Sequence, residues 1–370
     1  MAFLLPLLDR FHASSRGPRP STPSGVLFVS SGGLGDTILL SHVIERFYRV
    51  AGEDEPVHVL LRKDGAKTAF MFPKRADTIA VDFGRLRKDR AYRKKIGDDL
   101  YQGNYRLVIS LDYLRHPDLD EYLIFAAAGA ETAAMVAKPW RKYDARLNKN
   151  HALYDRLYDS GGVLVDKILR WTAFANWLNG TDEKPPRAVC GPNILPAPIK
   201  TDKPFVMVQG FSAVKGKQCA PALFERALAQ LPDDWNVVFT GAPGEDAANP
   251  EFADLLSRPN VRYDDSTFEQ LVPKLRAAKM AISVDTAFMH LAIAVGTPTL
   301  GLASAAYVDE IVPYADETTP ENAHFIYHDM PCRSCLGDCR LPPEDGRFPC
   351  IARLETERVE DAVRGMMGAN

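Results

Sequence analysis

Two stretches of the chain carry groups whose spacing suits chemistry on an anionic ligand. In the first, the apolar run Met280–Val284 is followed by Asp285-Thr286 and then by Phe288, Leu291, Ala292 and Val295 at helical spacing. Gly296 ends that period, Pro298 prevents its continuation, and Thr299–Leu302 opens a new apolar run. Such a strand, helix, strand unit belongs in a parallel sheet. Its backbone N–H groups at Thr286, Ala287 and Phe288 would leave the carboxyl edge, where helix dipole and free donors together favour a phosphate. His290, four residues after Thr286 on the same helical face, could donate to a phosphate or ribose oxygen; the alternative is a structural histidine. In the second stretch the apolar run Gly25–Val29 enters Ser30-Ser31-Gly32-Gly33-Leu34-Gly35-Asp36-Thr37, ahead of a helical pattern over Ile38–Phe47. The loop departs from the dinucleotide pattern G-x-G-x-x-G, because Ile38 stands where the third glycine belongs. What it offers is backbone able to approach a ligand, at Gly33 and Gly35, and one carboxylate. Asp36 has two readings: a helix N-cap, or a general base taking the proton of a hydroxyl nucleophile.

The elements that must position these groups read as a repeated α/β pattern. Short apolar runs at Val57–Leu61, Thr78–Asp82 and Leu107–Asp112 alternate with helical or loop stretches in the first half. In the second half, Phe205–Ser212, Val237–Gly241, Val261–Tyr263 and Met280–Val284 do the same, with helices expected over 220–231 and 268–278. Between the halves, residues 185–204 are proline-rich and lack a helical period, which reads as a linker. The expected organisation is a flexible arm at 1–24, a Rossmann-like domain at 25–184, the linker, a second Rossmann-like domain at 205–330, and a Cys-rich loop with a final helix at 331–370. The cleft between the carboxyl edges of two such sheets is the expected ligand site.

Composition narrows the function classes. A chain of 370 residues with 46% hydrophobic and 25% charged residues suits a soluble protein of two ordinary domains. The net charge of −3 argues against a general nucleic-acid binder. The apolar run at Phe3–Leu8 is broken by Pro6 and cut short by Asp9, so neither a secretory signal nor a spanning helix is expected, and the protein reads as cytoplasmic. Two basic clusters, one between Arg85 and Lys95 and one comprising Lys138, Arg141, Lys142, Arg146 and Lys149 with Trp140 and Tyr143, are either solvated faces or a means of gathering an anionic acceptor or resting on an anionic membrane. Four of the six cysteines, Cys332, Cys335, Cys339 and Cys350, crowd near the end. They suit either a structural zinc or iron site, closed because four thiolates leave no open position, or a loop of reduced thiols.

With Gly33-Leu34-Gly35-Asp36 in one half and Val284-Asp285-Thr286-Ala287-Phe288-Met289-His290 in the other, the chain resembles the heptosyltransferases of glycosyltransferase family 9. The likeness extends to Gly296-Thr297-Pro298-Thr299, the Lys217 loop, the Gly241–Glu245 turn and the cysteine-rich tail. It implies the GT-B architecture, two Rossmann-like domains facing across a cleft. It also implies inverting transfer of a sugar, typically heptose from its ADP donor, onto an anionic glycan or glycolipid acceptor of the lipopolysaccharide core, with peripheral contact at the inner membrane. Carried over by motif, Asp36 is the base; Asp285, Thr286, Ala287 and His290 form the donor-phosphate motif; Lys217 is the donor-loop lysine with Ser212 ahead of it; and Glu245 lies near the donor nucleoside. No metal is needed for the chemistry on this reading. The chain departs from the family where Lys217-Gln218-Cys219-Ala220 replaces Lys-x-Trp-Pro, and Gly33 replaces a serine. The departures leave open another nucleotide sugar, in a transferase or an epimerase, or a nucleotide-sugar-binding protein without turnover.

Overall fold

A computed structural model describes residues 16–19, 22–191 and 195–368. The chain divides into two compact units, Met1–Val163 with Arg170–Lys184, and Leu164–Leu169 with Pro185–Asn370.

The first unit holds a six-stranded parallel sheet of β1 (Val26–Ser30), β2 (Val57–Arg62), β3 (Asp77–Val81), β4 (Leu107–Ser110), β5 (Glu131–Met135) and β6 (Arg156–Tyr158), in the order β3-β2-β1-β4-β5-β6. Every residue of β1 and β4 is buried, as strands covered by helices on both faces require. Val26 pairs with Val57 on one side and Leu107 on the other. The strand order reverses between β1 and β4, and at such a switch point the loops beyond the carboxyl ends diverge and leave room for a ligand.

The second unit repeats this plan with β7 (Phe205–Gln209), β8 (Asn236–Thr240), β9 (Val261–Asp264), β10 (Met280–Val284), β11 (Thr299–Leu302) and β12 (Ala323–Ile326), in the order β12-β11-β10-β7-β8-β9. Its switch point lies between β7 and β10, both fully buried. Phe211, Phe224, Phe239 and Phe252 pack against one another under β7 and β8. The two sheets therefore share one topology, and each puts the loops singled out by sequence at its own switch point.

Three expectations change on contact with this structure. Of the expected linker, the described residues 185–191 and 195–204 belong to the second unit and are bonded to it: Cys190 N–H donates to the Ala294 carbonyl at 2.7 Å, Ile199 N–H to that of Pro273 at 3.0 Å, and Arg276 to that of Leu195 at 3.1 Å. The proline-rich composition reflects an extended strap. The single final helix expected within 331–370 is two, Pro349–Ala352 and Thr356–Gly368, and the second packs on the Pro221–Leu228 helix of its own unit through Val359, Val363 and Met366. Of the expected arm, residues 1–15 and 20–21 lie outside the described residues. Arg16 is tied to Asp98 at 3.1 Å, and Arg19 donates to the Ala128 carbonyl at 2.5 Å and lies over the Tyr101 ring.

Candidate functional site

In the first unit the glycine-rich loop leaves β1 and turns at once into a helix, Leu34–Ser41, which begins four residues earlier than the apolar period suggests. Asp36 is thus the third residue of the helix. Its Oδ2 accepts the Gly33 N–H at 2.8 Å, which satisfies one of the donors a helix start leaves open. Gly32 has to be glycine, since a Cβ there would lie 2.5 Å from the Asp36 Cβ. Gly33 is the residue at the helix start, and Gly35 lies within the first turn. The Asp36 side chain is partly exposed.

The loop is held from behind by a residue that motif reading missed. Asp112, just past the end of β4, accepts the Ser31 N–H at 2.5 Å, the Ser31 hydroxyl at 2.9 Å and the Ser30 hydroxyl at 3.2 Å. A carboxylate placed immediately after the strand across the switch point is a legible signal once β1 and β4 are known to be neighbours. Asp120 is hydrogen-bonded by Ser31 as well and accepts the His116 N–H at 2.8 Å; burial pushes its carboxyl above the usual range.

In the second unit, β7 leads through Ser212 to the turn Lys215–Lys217, and Asp285 follows the last residue of β10. Adjacency of β7 and β10 brings these together: the Lys217 ammonium lies 2.7 Å from Asp285 Oδ2, with the two side chains only 13% and 6% exposed. Ser212 helps shape the lysine turn, its hydroxyl accepting the Val214 N–H at 3.2 Å and its carbonyl accepting the Gln218 amide at 3.1 Å. Thr286 occupies the N-cap of the Ala287–Ala294 helix in extended conformation, and among the described residues no side chain caps that helix. Its leading N–H groups, with Ala287 the first helical residue, are therefore aimed past the sheet edge without a side-chain acceptor. His290 is buried, and its Nδ1 lies 2.6 Å from the Tyr314 hydroxyl with the rings stacked. Burial and the nearby Asp166 and Asp285 carboxylates hold that phenol well above its ordinary pKa. Glu245 closes its own turn, accepting the Ala242 N–H at 2.7 Å.

The four tail cysteines line one cavity of about 10 Å³ together with Ala306, Gly337 and Phe348. All are free thiols, and burial raises the pKa of Cys350. Among the described residues no three His, Cys, Asp or Glu side chains are arranged to ligate a metal, so the expected ligand set is present as a common wall and not as a formed site. In the basic clusters, Arg85, Lys94 and Lys95 pair with Asp89, Asp98 and Asp99 one helical turn on, and Arg146 with Asp118 at 2.6 Å. Among the described residues no helix is long and apolar enough to cross a membrane.

Residues 219–337, which include β10, the Asp285 motif and three of the cysteines, match the family model of glycosyltransferase family 9 (heptosyltransferase). The chain carries a glycosyltransferase family 9 domain. With that match the protein is a glycosyltransferase. Comparison of the sequence with curated proteins finds no match. Among solved structures, the fold of this chain is similar to that of E. coli heptosyltransferase WaaC with ADP-2-deoxy-2-fluoro heptose, at 16% identity over 92% of this chain and 99% of that one, TM-score 0.66. It is similar to the family 9 glycosyl transferase from Veillonella parvula, at 15% identity over 94% and 98%, TM-score 0.65. The iron-containing dodecameric glycosyltransferase TibC of enterotoxigenic E. coli is more distant, at 13% identity over 96% and 78%, TM-score 0.53. At these identities the likeness is one of fold, and the fold is GT-B, two Rossmann-like parallel-sheet units.

Proposed function

We propose that this glycosyltransferase transfers a heptose from an ADP-heptose donor, with inversion, onto an anionic glycan acceptor of the lipopolysaccharide-core type. The observation that carries the reading is the buried Lys217–Asp285 pair beside a helix start that no side chain caps, all at the switch point of one sheet. A sugar leaving its diphosphate builds negative charge on the departing phosphate and positive charge at the anomeric carbon. Lys217 and the N–H groups of Thr286, Ala287 and Phe288 meet the first. Asp285, itself anionic, acts through Lys217, and His290, held against Tyr314, completes the donor-phosphate motif. Ser212 shapes the lysine turn, and Glu245 sets the turn nearest the nucleoside.

In the first unit Asp36 takes the proton of the acceptor hydroxyl. The oxygen attacks the anomeric carbon from the face opposite the diphosphate, the bond to the phosphate oxygen breaks, and its electron pair leaves with ADP. No step is routed through a metal; the cysteine cavity, if it takes zinc or iron on its four thiolates, has a structural role. A nucleotide-sugar donor puts the reaction on the cytoplasmic side, with the basic clusters resting at the inner membrane surface.

The test is a calorimetric screen of ADP, UDP and GDP, followed by transfer assays with the sugar nucleotide of the best binder. ADP binding tightest, and ADP-heptose turned over on a heptose-free lipopolysaccharide inner core, is the expected result. Binding of UDP with no binding of ADP would overturn the donor assignment.

A further inference from the structure

The lysine turn and the cysteine-rich loop are distant in sequence yet share a surface. Phe348 N–H donates to the Gly216 carbonyl at 2.9 Å, and its ring lies so close that a Cβ at Gly216 would meet it at 3.0 Å. Gly216 is the middle residue of the turn that presents Lys217. On the other side of that lysine, its ammonium lies 4.8 Å from the centre of the Tyr307 ring, within the range of a cation–π contact. Tyr307 rides on the short turn Ala305–Tyr307, and the cysteine-rich loop grips this turn directly. Ser334 N–H donates to the Ala305 carbonyl and Leu336 N–H to that of Ala306, both at 2.8 Å, while the Ser334 hydroxyl donates to the Val308 carbonyl at 2.9 Å. Ser334 and Leu336 both hold left-handed φ values, 62° and 56°, a conformation that non-glycine residues keep only where their surroundings enforce it. Ala306 and Phe348 are also walls of the cavity that the four cysteines line.

We propose that Tyr307 and Phe348 are positioning residues for Lys217, and that the cysteine-rich loop is the brace that sets the lysine against the donor diphosphate. The proposal rests on the reading of Lys217 as the diphosphate contact. Cys219, two residues after this lysine, is 1% exposed and packs in the core, and the ring beside the ammonium is that of Tyr307. A rigid bed fixes the rotamer of a side chain that otherwise loses much freedom on binding, so loosening it weakens the contact without touching the ligand.

The test is ADP affinity by calorimetry on the full chain, with thermal unfolding in parallel, for Phe348→Ala, Gly216→Ala, Tyr307→Leu and Tyr307→Phe, each alone and in a Lys217→Ala background. Phe348→Ala, Gly216→Ala and Tyr307→Leu should each weaken ADP about five- to tenfold, while Tyr307→Phe, which keeps the ring, recovers affinity to within about twofold. None should weaken it further once Lys217 is gone, because the effect passes through that side chain. Folded loop variants that bind ADP as the unaltered protein does, or that weaken it equally with and without Lys217, overturn the proposal while leaving the donor reading in place. If Lys217→Ala alone leaves ADP affinity unchanged, the donor reading fails first and the brace falls with it.

Discussion

The Lys217 ammonium and the Asp285 carboxylate meet at 2.7 Å with almost no solvent around either. Each is the condition for the other's burial, because a charge left there without its partner keeps its desolvation cost and loses the attraction that offsets it. Lys217→Ala should therefore destabilise the protein by about 2–4 kcal/mol, and adding Asp285→Ala should return part of that loss. Urea unfolding of both singles and the double measures this; additive losses would mean that the two side chains do not depend on one another.

Asp112 predicts a different signature. It holds Ser30 and Ser31, two residues that do no chemistry themselves, and so fixes the entry to the Asp36 loop. Asp112→Asn keeps an acceptor oxygen but loses the charge, and charge-assisted bonds are about twice as strong as neutral ones. The turnover number should fall roughly tenfold, since a small displacement of a catalytic group costs rate before it costs binding. Steady-state kinetics should show the loss in kcat with KM for the donor unchanged; a loss confined to donor KM would contradict the assignment.

Glu55 gives a pH-dependent prediction for the scaffold. Its carboxylate takes both arms of Arg106 at 2.8 Å and the N–H groups of Gly25 and Gly52, which pins the start of β1. The Arg106 hydrogen bond is the main reason that its pKa is lowered from 4.5 to about 2. A carboxyl with a depressed folded-state pKa contributes stability that is present above its unfolded value and is lost as pH falls through the folded one. Because Arg106 is 41% exposed and solvent screens the pair, Glu55→Gln should cost about 1–2 kcal/mol at pH 7, and the difference should shrink from about pH 4.5 downward and close near pH 2. Thermal melts of both proteins across that range check it, and a gap that persists at pH 2 would rule out the ionic origin.

The legible parts of the fold were those with strong apolar runs. β1, β7 and β10, buried throughout, coincide with the runs that begin at Gly25, Phe205 and Met280. β5 reads Glu-Thr-Ala-Ala-Met and lacks the β-branched or aromatic density that marks a strand, while β6 with three residues and β12 with four, paired to β11 alone, are too short to show a period; neighbours supply what the local sequence lacks. At the candidate site, Asp36 and Asp285 stand out in the sequence because each lies where an apolar run gives way to a helix. Asp112, Tyr307 and Phe348 were not, because their meaning depends on strand adjacency and on a loop that returns from far along the chain.

The division of labour between Asp36 and the Lys217 site can be tested on one pair of preparations. ADP affinity and heptose transfer from ADP-heptose to a heptose-free lipopolysaccharide inner core should be measured for the unaltered protein and for Asp36→Asn. Transfer should fall by about two to four orders of magnitude while ADP affinity stays within about twofold. Transfer at the unaltered rate would take Asp36 out of the proton path and contradict the account.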